Sequence, residues 1–199
     1  MEAWNDAAFL ALNAPEHPSH AVVLLAVAFA QGAVFLVPVL LAALWLWGGR
    51  ASRGGLLLTC LGVALALGVS LAVGLLWYHP RPFAVPIGHD LLAHVADSSF
   101  PSDHLTLLLA VGIGLLAWTD ERWAGFLVLL VAVPVAWARI YLGVHFPADM
   151  LGAVPVAAAG ILIALPFRPW VERTLVSRLV EPLYHRVFSG PIGRGWVRP

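Results

Sequence analysis

The chain has 199 residues, 61% of them hydrophobic and 11% charged, with a formal net charge of zero. Its mean hydropathy is +0.88. A water-soluble domain needs far less apolar surface, and a neutral chain has no bulk attraction for nucleic acid. The composition therefore points to an integral membrane protein and excludes a nucleic-acid partner. All eleven cations are arginine, and lysine is absent. The single cysteine, Cys60, lies in an apolar run and reads as a small buried hydrophobe; no disulfide can form within the chain.

The predicted elements run as follows. Residues 1–10, "MEAWNDAAFL", lack the basic start of a cleaved signal peptide. Residues 3–13 read as a helix lying on the membrane surface, with Trp4, Phe9 and Leu10 among small residues. The apolar stretch 21–47 is interrupted by Gln31–Gly32, which predicts a tilted or interfacial segment over 21–31 and a span over 33–48. Further spans are expected over 54–77, from 102 to 118, between 122 and 139, and over 150–166. The last three are close to the lower limit of roughly 17 residues for crossing hydrocarbon. Polar groups at their ends then dip below the interface and need a watered cavity. Residues 168–188 alternate arginine with Leu, Val and Trp and read as a second surface helix in an interfacial tail. The expected fold is all-α: one membrane domain over 1–199, with about five transmembrane helices and interfacial helices at both termini. Glycines 62, 68, 112 and 114 are expected to allow close helix packing.

The arginines set an orientation. Arg50 and Arg53, Arg122, and the six arginines after residue 166 all fall on one side of a five-span bundle, which should be the cytoplasm. The N-terminus and the loops 78–101 and 139–149 then face outward.

Those outer segments hold the polar residues that can do chemistry. Ser102 follows a proline and precedes an apolar run, so it reads as a helix N-cap with free amides behind it, a setting that favours an anion. Pro147 suits the first turn of a helix. Phe146 then becomes the N-cap and Asp149 the third helical residue, within reach of the His145 ring. A carboxylate on one ring nitrogen makes the other a better nucleophile or base. Arg81 and Arg139 offer planar forks suited to phosphate oxygens. His104, two residues past the cap, can donate a proton to a leaving oxygen. Each of these residues alone has a plainer reading, as a cap, a snorkelling arginine or an interfacial histidine. Together on one membrane face they compose a phosphoryl-transfer site.

Arg81-Pro82, "PSDH" over 101–104, and the Arg139, His145, Asp149 spacing R-x5-H-x3-D resemble the three motifs of the type 2 phosphatidic acid phosphatase (PAP2) family. "HPRPF" over 79–83, "DSSFPSDH" over 97–104 and "FLALN" over 9–13 are similar to its bacterial undecaprenyl-diphosphatase, or bacitracin-resistance, branch. The resemblance implies a metal-independent lipid phosphatase with no cofactor. Its substrate would be a polyprenyl or other lipid phosphate, and its surroundings membrane lipids. It assigns His145 as nucleophile, Asp149 as its orienting acid and His104 as acid to the leaving group. Arg81, Arg139 and Ser102 then hold the phosphate. Two positions depart from the pattern. The family's lysine seven residues before Arg81 is replaced by Gly74, for which His79 is the candidate substitute. Asp103 stands where the family more often has glycine, and is expected to point away from the phosphate or to bind an arginine or a substrate group. Phosphatidate, phosphatidylglycerol phosphate and lipid A phosphates remain alternative substrates. A phosphotransferase, or a non-enzymatic lipid transporter or scramblase, also remains open. His89, Asp90, His94 and Asp97 have no role at this level, and neither has the oligomeric state.

Overall fold

The computed structural model describes residues 3–85 and 87–199, and every regular element among them is helical. In chain order these are α1 (Ala3–Leu12), α2 (His20–Trp47), α3 (Arg50–Leu76), α4 (Asp103–Trp118), α5 (Arg122–Tyr141), α6 (Pro147–Val187) and the short α7 (Ser189–Gly193). Helices α2, α3, α5 and α6 are long and apolar enough to cross a membrane. Helix α4 has 16 residues, about 24 Å at ~1.5 Å per residue, which is short of a hydrocarbon core of about 30 Å. The protein is thus a multi-pass membrane bundle in which α4 is packed between α3, α5 and α6.

Apolar side chains occupy both inside and outside, as lipid requires. Leu108, Val111, Leu115, Val128, Val135 and Phe146 are buried in the main cluster. Phe35, Leu75, Leu76, Leu130 and Leu162 face outward. With no hydrophobic drive between helices in lipid, close backbone approach has to supply the packing. At the α3–α6 crossing Gly160 meets Ala66 so closely that a Cβ there would sit 2.4 Å from the Ala66 amide nitrogen. Gly62, Gly112 and Gly114 are close-contact positions as expected, whereas Gly68 faces open space. Cys60 is exposed on α3 rather than buried.

Three further expectations change. The Gln31–Gly32 interruption is not a break: residues Ala28–Gly32 form a π-helical turn inside a continuous α2. Helix α1 does more than lie on a surface. Phe9 is fully buried against the Phe146 ring, 5.1 Å between centroids, and the Asn5 Oδ1 accepts the Ala148 amide at 2.9 Å. The tail continues α6 through a 3-10 turn (Leu165–Phe167) and a long π-helical stretch (Val171–Val180), and docks on the Arg50 end of the bundle. There the fully buried Arg53 donates to Glu181 at 3.1 Å and to the Arg198 carbonyl at 2.9 Å, and lies 3.6 Å from the centre of the Tyr184 ring.

Candidate active site

The opposite end of the bundle gathers the sequence motifs. Pro147 starts α6 as its first-turn residue, and Phe146 is its N-cap, as the sequence predicts. The Asp149 Oδ2 accepts the Phe146 amide at 2.8 Å, the Ser99 hydroxyl, and the His145 Nδ1–H at 3.1 Å. A carboxylate held by three donors cannot rotate away, so the His145 ring is fixed with its proton on Nδ1 and its lone pair on Nε2.

That lone pair faces two guanidinium groups. The Arg81 Nη1 lies 3.1 Å from the His145 Nε2 and the Arg139 Nη2 lies 3.3 Å from it. Both arginines are themselves fixed. Arg81 donates to the Val144 carbonyl at 3.0 Å and, through Nε, to Asp97 at 2.7 Å. Arg139 donates through Nη1 to the carbonyl of Ala30 at 3.2 Å, within the π-helical turn of α2. π-Helical turns recur at functional sites, and here the turn presents a carbonyl to Arg139. His145 is almost fully buried. Burial, aided by the charges of Arg139 and Arg81 and opposed by Asp149, pushes its imidazole down to about 4, so the ring is neutral at pH 7. A neutral imidazole whose free nitrogen sits in a fork of two fixed cations suits attack on an anionic centre.

The second motif lies alongside. Ser102 caps α4 with extended backbone, and its amide donates to the Asp149 carbonyl at 3.2 Å. Its hydroxyl makes no cap bond, contrary to the usual serine N-cap; it is buried without a partner among the described residues. His104 forms no hydrogen bond among the described residues, and its ring lies near the Arg139 and Arg81 cations and the His145 and His94 imidazoles. It borders a groove lined by Val34, Leu67, Leu71 and Leu107 of α2, α3 and α4. Asp103 turns toward α3, where its Oδ1 accepts the Ser70 hydroxyl at 2.5 Å.

His79 does not join the cluster. Its ring lies against Trp77 and Phe100, at centroid distances of 5.7 and 6.4 Å, because an aromatic shelf captures it. A cavity of about 270 Å3 adjoins Gly74, bordered by Ser70, Tyr78, Asp97, Ser98 and Asp103.

Four polar residues join the site or its supports without having been assigned there from sequence. Ser99 holds Asp149 and Asp97 holds Arg81. Burial works against the charge of Asp97, but the Arg81 hydrogen bond and charge outweigh it and keep its carboxyl below the usual range. The His94 Nε2 lies 3.4 Å from the Arg139 Nη2. Asn13 ties the loop after α3 to the rest: its amide accepts the His89 amide at 2.6 Å and donates to the Tyr141 carbonyl at 3.0 Å. The His89 ring pairs with the Ala14 carbonyl at 2.9 Å, and Asp90 accepts the Leu92 amide at 3.2 Å. These two shape the loop. A serine doublet before the "PSDH" segment was the visible signal for Ser99; a loop without periodicity gave none for His94 and Asp97.

The chain is also similar to known proteins. The model of the PAP2 superfamily matches residues 55–173. A putative undecaprenyl-diphosphatase of Escherichia coli, YbjG, is 38% identical over all of this chain and 99% of its own length. The undecaprenyl-diphosphatase BcrC of Bacillus subtilis is 30% identical over 92% of this chain and 95% of its own. Among solved structures, LpxE of Aquifex aeolicus superposes with a TM-score of 0.68 at 22% identity, covering 83% of this chain and 96% of that one. A transmembrane PAP2-type phosphatidylglycerolphosphate phosphatase of Bacillus subtilis gives 0.62 at 18% identity, over 86% and 88% of the two chains. At those identities the structural matches speak for the fold alone.

Proposed function

The chain belongs to the PAP2 superfamily, and from that premise we propose that it is a lipid phosphatase removing the terminal phosphate of undecaprenyl diphosphate. The observation that carries the chemistry is the His145 Nε2 set between Arg81 and Arg139, with its Nδ1–H on Asp149. The two relatives named for undecaprenyl diphosphate, each matched over nearly its whole length, carry the substrate.

The reaction follows from the positions. The His145 Nε2 attacks the terminal phosphorus; a P–N bond forms as the bond to the leaving phosphate breaks. His104 gives its proton to the leaving oxygen. The Nδ1–H of the phosphorylated ring stays on Asp149, whose charge balances the cationic imidazole. Arg81, Arg139 and the free Ser102 hydroxyl hold the equatorial oxygens. Water then attacks the phosphohistidine, gives its proton to His104, and releases phosphate. The apolar groove of Val34, Leu67, Leu71 and Leu107 beside His104 fits a polyprenyl tail leaving toward the bilayer. The arginine-rich end carrying Arg50, Arg53 and the tail faces the cytoplasm in this reading. The His145 end then opens to the outer side of a bacterial inner membrane, where spent carrier lipid is recycled.

The test is phosphate release by purified protein in detergent with EDTA, using undecaprenyl diphosphate and phosphatidate, with wild type and His145→Ala. Release from the diphosphate, abolished in the variant, supports the reading. A preference for phosphatidate overturns the substrate, and no release from either lipid by folded protein overturns the hydrolase.

A further inference from the structure

His94 has a geometry that the proposed reaction leaves unused. Its Nδ1 lies 3.1 Å from the Val95 carbonyl, which places the ring proton there. Its Nε2 lone pair faces the Arg139 Nη2 at 3.4 Å, the same nitrogen that faces the His145 Nε2 at 3.3 Å. Two imidazoles therefore point their lone pairs at one guanidinium nitrogen. They differ in depth: His145 is at the buried floor, whereas His94 is at the rim with 24% of its side chain exposed.

A diphosphate bound with its terminal phosphate at the His145 Nε2 takes the Arg139 donor onto its own oxygens. The His94 lone pair then faces an anion, which repels it unless the ring gains a proton. Protonation at Nε2 converts the lone pair into a donor directed into the site, while Nδ1–H stays on Val95. Asp97, with Oδ1 4.0 Å from the His94 Nδ1, stands ready to balance the new charge. We propose that His94 binds the penultimate phosphate of a diphosphate substrate, supplying at the rim the cation that a chain without lysine lacks at Gly74. The proposal rests on the diphosphatase reading and deepens it: the same His145 pocket takes the terminal phosphate, and His94 measures whether a second one follows.

The electrostatics are consistent. Burial and then the charges of Arg81 and Arg139 lower the His94 pKa, against the pull of the Val95 carbonyl and Asp97. An anion that neutralises both arginines removes that pressure and draws a proton onto the ring.

The experiment measures binding, so it does not depend on turnover. Inorganic pyrophosphate and orthophosphate are titrated calorimetrically into wild type, His94→Ala and His94→Arg at pH 6 and pH 8. In wild type, pyrophosphate should bind more tightly than orthophosphate and weaken as pH rises. His94→Ala should lose about tenfold or more for pyrophosphate, as expected for a charged hydrogen bond, and less than about twofold for orthophosphate. His94→Arg should restore pyrophosphate binding and remove the His94 part of its pH dependence. Equal losses for both anions overturn the proposal and make His94 a positioning residue for Arg139. Unchanged binding of both overturns it and makes His94 a loop residue. Pyrophosphate no tighter than orthophosphate in wild type overturns it as well. Failure to hydrolyse undecaprenyl diphosphate, with the pyrophosphate selectivity intact, would instead sink the substrate reading.

Discussion

Replacing Asp149 by asparagine isolates charge from position. The amide oxygen can still accept the Phe146 amide and the Ser99 hydroxyl, and the amide NH2 falls where the buried Oδ1 has no partner among the described residues. The first turn of α6 should therefore survive, with a melting temperature within a few degrees of wild type. What disappears is the negative charge 3.1 Å from the His145 Nδ1. At an effective dielectric of about 20, unit charges about 4 Å apart interact by about 4 kcal/mol. The imidazole carries only part of its positive charge at the transition state for P–N bond formation. A loss of about 2–3 kcal/mol, or about 30- to 200-fold in kcat, follows. Because the two arginines proposed to hold the phosphate are untouched, KM should hardly move. The assay is steady-state phosphate release from undecaprenyl diphosphate in detergent, with melting curves on the same samples. A kcat within about fivefold of wild type in folded protein would refute the role given to Asp149. So would a loss that falls wholly on KM.

Three further outcomes are expected. The His145 imidazole sits at about 4 in the folded protein and about 6.5 when unfolded, so its contribution to stability is whole above pH 6.5 and is lost as pH falls toward 4. That loss is about 3 kcal/mol and should appear as a lower melting temperature at pH 4.5 than at pH 7, with a smaller drop in His145→Gln. Arg53→Met leaves the Glu181 carboxylate buried with, among the described residues, only His185, 3.5 Å away, as a partner. It should cost about 3 kcal/mol and expose the tail to protease, while the double replacement with Glu181→Leu recovers most of the loss. Gly143→Ala forces a side chain onto a residue at φ +83°, with its Cβ 2.3 Å from the His89 carbonyl oxygen. A strain of at least ~1 kcal/mol two residues from His145 should lower the melting temperature and cut kcat/KM tenfold or more.

The site was legible where its geometry is local. Pro147, Phe146 and Asp149 fall within one helix start, so backbone rules alone bring the carboxylate to His145, four residues away. Gly143, by contrast, is required by a carbonyl from the loop after α3. Ser102 was right as a cap in its backbone and wrong in its hydroxyl. The hydroxyl is buried where the Asp149 carbonyl already takes the Ser102 amide. The His79 ring lies apart from the His145 cluster because nearness in sequence to Arg81 says nothing of direction. Its ring is drawn to Trp77 and Phe100 instead.

The sequence by itself determined the solvent, the number of apolar helices, and the end of the bundle at which the candidate site sits. Those follow from composition, from segment length against the bilayer, and from prolines that decide where helices begin. It also determined the His145–Asp149 pair, a contact within one turn. The tertiary structure alone decided which groups meet across the chain. Arg81 reaches His145 over a separation of 64 residues, and Arg139 reaches the Ala30 carbonyl over 109. Helix packing also brought His94 to Arg139, buried Arg53 under the tail and left Cys60 facing outward. A side chain's partners across such separations depend on how helices rotate against one another. That rotation is set by many small contacts, such as Gly160 on Ala66, that no single segment of sequence contains.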